Sequence, residues 1–287
     1  MSSIAKRAGV VAGAGVIAFA ITAIGQGLWG VMAIANVRFS PAIPWAPALM
    51  PFVLAALVAV LSGRAWPKAG AGARRALVPL APVSARAWLW SLGAGLFAIA
   101  ALAALWTVLG EIVQTPPNLL PDTRGVPMTT LAPMLLVSIT AAPITEEIAF
   151  RGYAMGLIGR HFGPIATIVL SSVLFAAAHL TQGLYASKLI VYLLVGLALA
   201  ATVWRTGSLL PAAVVHVFGD LVFFTLVWPH DGTRRLVSET GFGARFVLTL
   251  AVLAVCTGAW FYAFRRLIAA TGRSDVPRPS AASLVAA

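Results

Sequence analysis

The sequence predicts an all-α fold, a polytopic membrane helical bundle of about eight transmembrane helices. Three observations carry that expectation. Of the 287 residues 60% are hydrophobic, the mean hydropathy is +0.94, and only 10% are charged. A soluble domain carries roughly a quarter charged residues, so an ordinary soluble globule is excluded. Disorder is excluded too, because it needs low hydrophobicity. The third observation is a series of uncharged runs near the ~20 residues that cross a bilayer.

Taken in order, the runs fall at 8–37, 39–63, 87–110, 125–145, 162–178, 189–204, 206–229 and 246–264. The first follows Lys6 and Arg7 as a signal sequence would, but it is far longer than a signal-peptide core. It is expected as a retained helix, with Gly25 and Gly30 as weak points. Between the second and third runs lies a basic loop, 64–86, rich in Ala, Gly and Pro, which reads as a lipid-surface linker. The fourth run leads into Glu146, and the stretch from His161 to Pro164 then supplies a turn, because Gly and Pro break helices. The fifth run ends at His179, and a turn near Gly207 divides the sixth from the seventh. The eighth holds Cys256, the single cysteine, which excludes an intrachain disulfide and reads as packing. Residues 1–272 are expected as one membrane domain, and 273–287, with Pro277 and Pro279, as a disordered tail.

The net charge of +12, from 20 Lys and Arg against eight acids, does not point to nucleic acid. The basic residues cluster between apolar runs, the pattern of loops facing anionic lipid. With the amino terminus inside, 13 basic residues fall in cytoplasmic segments and six outside: Arg38, Arg124, Lys188, Arg234, Arg235 and Arg245. That excess favours both termini in the cytoplasm. Of the eight acids, Glu111, Asp122, Asp231, Glu239 and Asp275 lie in loops, at helix ends or in the tail and read as ordinary.

Glu146, Glu147 and Asp220 do not. With Arg151, His179 and His216 they lie in or beside apolar spans. A charge at the bilayer centre costs about 2.5–3.5 kcal/mol on insertion scales, so such groups face a protein interior or a wet cavity. Glu147 and Arg151 are four apart and can pair on one helix face. Glu146 then points about 100° away, so the two acids have separable jobs, one as the partner of Arg151 and one as a free carboxylate. If the turn is centred near residue 162, Glu146 and His179 lie at nearly equal depth in an antiparallel hairpin, about 25 Å from it. His216 and Asp220 are four apart on another helix, at about 13–20 Å. Each set taken singly also suits a packing role; their convergence favours a site.

A buried carboxylate beside a histidine can activate water. The second His and Asp can then hydrogen-bond the oxygen that gains charge in a tetrahedral intermediate. That chemistry suits hydrolysis of a peptide bond. No HExxH helix, paired membrane aspartates or Gly-x-Ser-x-Gly elbow offers another protease chemistry. No cofactor is expected, although a Glu/His/His/Asp set leaves zinc open. The competing class is non-enzymatic: a transporter with buried charges along its path, or an immunity protein that acts by binding.

Glu146-Glu147-x-x-x-Arg151, Phe175-x-x-x-His179 and His216-x-x-x-Asp220 resemble the three ordered motifs of the CPBP intramembrane proteases. This is also called the CAAX-protease and bacteriocin-processing (Abi) family, and it includes the type II CAAX prenyl endopeptidases. The resemblance covers about residues 125–225. It implies a glutamate-dependent, metal-independent endopeptidase with eight helices in a bacterial plasma membrane. Its substrate would be a membrane-associated peptide or protein, prenylated and CAAX-like or bacteriocin-type. Glu146 and His179 would activate the water, His216 and Asp220 would line the oxyanion hole, and Glu147, Arg151 and Phe175 would support them. The prenyl-protein proteases carry Asn where this sequence has Asp220.

Overall fold

A computed structural model describes residues 3–116 and 123–272, and all regular structure among them is helical. The expected tail at 273–287 lies outside the described residues, as do Asp122 and Asp275. In chain order the helices are α1 (Ser3–Phe39), α2 (Trp45–Leu61), α3 (Ala71–Leu77), α4 (Ala85–Ile112) and α5 (Met128–Glu146). They continue with α6 (Met155–Ile158), α7 (Pro164–Ala178), α8 (Ala186–Thr206), α9 (Leu210–Val222), α10 (Val237–Thr240) and α11 (Ala244–Thr271). Among the described residues seven helical stretches are long and apolar enough to cross a membrane, and α2 is a shorter apolar helix of 17 residues. At 1.5 Å per residue α2 spans about 25 Å, the lower end of what a bilayer core requires. The chain is therefore a multi-pass membrane protein built as a helical bundle. It divides into two compact units, one drawn from Met1–Leu80 and Pro121–Thr167, the other from Ala81–Leu120 and Ile168–Val276.

In the first unit α1 packs along α5 and against α2. Contrary to expectation, Gly25 and Gly30 do not interrupt α1, which runs unbroken for 37 residues. Gly25 marks a crossing instead: a Cβ there would overlap the Thr145 side chain, so its absence lets α1 close on α5. Phe19 meets Phe150 edge-on at 6.0 Å, and Trp29 Nε1 donates to Ser138 Oγ at 2.9 Å. Positions 19, 22, 25, 26 and 29 thus form one helical stripe. Buried Asn36 closes the α1–α2 turn, donating to the Ser40 and Ile43 carbonyls and accepting from the Ala46 amide, each at 2.8 Å.

The basic loop is more than a lipid-surface linker. It folds α3, where Arg75 donates to the Gly63 carbonyl at 3.0 Å and Arg74 to the carbonyls of Ala69 and Pro67. These arginines satisfy backbone acceptors that a tight loop would otherwise leave unpaired.

The second unit is organised around α4, on which α8, α9 and α11 pack. Its buried face carries Ser91, Ala94, Gly95, Ala98, Ala101 and Ala104. Small residues at this spacing let helix backbones approach where lipid supplies no hydrophobic drive between helices. The turn expected near Gly207 is present, with Gly207 at φ 66°, the left-handed conformation that glycine adopts without penalty. The expected turn before Pro164 is present too, and Pro164 opens α7 as a first helical residue without a donor to lose. Large apolar side chains such as Val255, Phe261 and Tyr262 on α11, and Val16 and Val31 on α1, point outward, as surfaces facing lipid do.

Candidate functional site

In the first unit the Glu-Glu motif lies where the helix changes winding. Following α5, residues Glu147–Ala154 form a π-helix before α6 resumes regular turns. Pro143, one turn upstream, has no N–H for the Ile139 carbonyl. The π-turn shifts hydrogen bonding to i+5, a departure that recurs at functional sites. The expected pair forms: Arg151 Nη1 lies 3.0 Å from Glu147 Oε1, and both side chains are about 1% exposed. The Tyr153 hydroxyl donates to the Leu61 carbonyl at 2.7 Å, tying the π segment to the end of α2.

Glu146 is not the free carboxylate that was expected. Gln26 Nε2 on α1 donates to its Oε1 at 2.5 Å, and Glu146 itself is 8% exposed. The sequence signal for Gln26 was faint: with Asn36 it is one of two amides in the run 8–37.

The second unit carries the other two motifs. The α7 helix ends at Ala178 and tightens to a 3-10 turn over His179–Gln182. His179 Nδ1 lies 2.9 Å from the Phe175 carbonyl. A carbonyl only accepts, so Nδ1 carries the proton and Nε2 is the basic nitrogen of the neutral ring. Tyr192 stacks on the imidazole with centroids 3.9 Å apart at 22°, and its hydroxyl donates to Gln182 Oε1 at 2.6 Å. Neither Tyr192 nor Gln182 was legible as a site residue, because an aromatic in an apolar run looks like core.

Phe175, almost fully buried, lies between the two histidines, its ring 4.8 Å from that of His179 and 5.8 Å from that of His216. His216 Nε2 is 3.8 Å from Asp220 Oδ1. That is too long for a hydrogen bond, so the pair is an ion pair when the imidazole is protonated. Just beyond Asp220 the helix again widens, into a π segment at Phe223–Val227. Each of the three motifs thus sits at or beside a departure from regular α-helix.

Two acids expected to be ordinary are built in, and so is a lysine assigned to a loop. Asp231 accepts from Trp106 Nε1 at 3.0 and 3.3 Å and pairs with Arg234 at 3.0 Å. Glu111 is buried and lies 3.6 Å from Arg245, and Lys188 is buried within α8. Burial lowers the Arg234 guanidinium from its ordinary pKa, opposed by Asp231 and Glu111. Trp106, Lys188, Asp231 and Arg234 line a cavity of about 100 Å³, and the Trp106 ring meets Tyr192 at 6.0 Å. Among the described residues no group of three or more His, Cys, Asp or Glu side chains is arranged to hold a metal ion.

Composition and fold together define a multi-pass membrane protein. Residues 128–222 match the family model described as Type II CAAX prenyl endopeptidase Rce1-like, and that segment contains every residue of the three motifs. This similarity to a protease family supports a peptidase role. No curated protein and no solved structure matches the chain.

Proposed function

We propose that this chain is an intramembrane endopeptidase that hydrolyses a peptide bond in a membrane-associated peptide or protein, prenylated and CAAX-like or bacteriocin-type. Glu146 and His179 share the activation of one water. The carboxylate and the basic Nε2 take its proton as the hydroxide adds to the scissile carbonyl. His216 and Asp220 donate hydrogen bonds to the oxyanion; Asp220 does so as the protonated acid. The proton then passes to the leaving amine, the C–N bond breaks, and a carboxylate and an amine are released. Glu147 and Arg151 hold the π segment that presents Glu146, and Phe175 spaces the two histidines. Metal takes no part in this scheme. The chain works as a multi-pass protein of a bacterial plasma membrane, in contact with lipid, with both termini cytoplasmic.

The observation that carries this reading is the match of residues 128–222 to the CAAX-type endopeptidase model, spanning all three motifs. The test is cleavage of prenylated and unprenylated peptides by the purified protein in liposomes. Glu146→Ala and His179→Ala are each expected to lower kcat by about 10²–10⁴-fold, and chelators to leave the rate unchanged. Absence of cleavage across the library removes the protease reading in favour of a transporter or binding protein. Loss on chelation with recovery by zinc removes the metal-free mechanism.

A further inference from the structure

We infer that Gln26 on α1 is a positioning residue for Glu146, fixing the rotation of its carboxylate for proton transfer. The inference rests on the protease reading above and adds to it a residue far outside the matched segment, 120 positions before Glu146.

Two roles compete for this amide: attaching α1 to α5, or aiming the carboxylate. Attachment is already supplied along the same stripe. Phe19 packs on Phe150 about two turns earlier, Gly25 brings the backbone against Thr145, and Trp29 bonds Ser138 one turn later. These contacts engage α5 and its continuation on both sides of Gln26, so the helices stay docked without it. What none of them does is touch the carboxylate. The Gln26 amide donates to Oε1 at 2.5 Å, and rotating the Glu146 carboxylate about its last bond would break that contact.

The amide engages one oxygen of the carboxylate that takes the proton from water. It also restricts which oxygen faces the reacting water, and orientation of this kind contributes to rate rather than to affinity. Placement on α1 has a further consequence. The angle of the carboxylate becomes coupled to the docking of a helix that carries none of the three motifs.

The test compares wild type, Gln26→Met and Gln26→Asn with Thr22→Val, which alters a buried residue one turn away on the same face. Gln26→Met keeps length and removes the donor. It is expected to lower kcat by about ten- to a hundredfold, with KM and the thermal midpoint unchanged. Gln26→Asn, with a shorter amide, recovers part of the rate, and Thr22→Val retains it. A readout independent of catalysis is the infrared carboxylate band of Glu146, identified by its loss in Glu146→Gln. It is expected to shift in Gln26→Met and not in Thr22→Val. An unshifted band, or a kcat loss matched by a fall in thermal midpoint and equalled by Thr22→Val, overturns the inference. A shifted band in a protein that cleaves no peptide sustains the Gln26–Glu146 contact and removes the protease reading instead.

Discussion

Glu147 and Arg151 are buried side by side, and a charge in that position depends on its counter-charge. Glu147→Ala strips Arg151 of the carboxylate 3.0 Å away and is expected to cost about 3–5 kcal/mol, the usual result of breaking a buried pair. The double substitution Glu147→Leu with Arg151→Met is expected to recover most of that loss, because two apolar chains of similar volume need no counter-charge. Thermal unfolding in detergent checks both, and equal midpoints for wild type and Glu147→Ala would remove the pair as a structural support. At His179 the expectation is graded. Tyr192→Phe keeps the stacked ring and loses the bond to Gln182, whereas Tyr192→Leu loses both. A few-fold fall in kcat is expected for the first and about tenfold or more for the second, read as initial rates at saturating peptide. Equal rates for all three proteins would remove Tyr192 from the site.

Helices in this chain are held by close approach as much as by apolar area, and glycine marks the contacts. Gly25→Val is expected to push α1 off Thr145, lowering the thermal midpoint and activity together, at about 1–3 kcal/mol for overpacking. Gly207→Ala acts differently: it strains a left-handed turn, at about 1–2 kcal/mol, without moving a site residue. A midpoint that falls while kcat is retained checks it. The helices, the turn before Pro164 and the turn at Gly207 were legible because each rests on a local rule of run length or backbone freedom. The Glu147–Arg151 and His216–Asp220 pairs were legible for a similar reason, since i,i+4 spacing fixes a shared face. The π segments at Glu147–Ala154 and Phe223–Val227 were not, as no residue type or spacing distinguishes i+5 from i+4 bonding in an apolar run. Gln26 escaped notice because its role depends on a partner 120 residues away, and Asp231 because the Trp106 contact spans 125. Local pattern carries no register between helices.

For the molecule as a whole, the parity of crossings decides where the termini lie. Seven helices qualify by length and α2 is marginal at 17 residues. Eight crossings put both ends on one side, and seven put them on opposite sides. The excess of basic residues in one set of loops favours eight, so reporter fusions at the two termini are expected to report the same, cytoplasmic side. Opposite sides would mean that α2 does not span. Activation of water by Glu146, as proposed above, is tested at the bond itself by cleavage in oxygen-18 water. Wild-type protein in liposomes is expected to release a product whose new carboxyl terminus carries the label, and Glu146→Gln to release essentially none. Undiminished cleavage by Glu146→Gln, or no labelled product from the wild type under any peptide, would contradict the account.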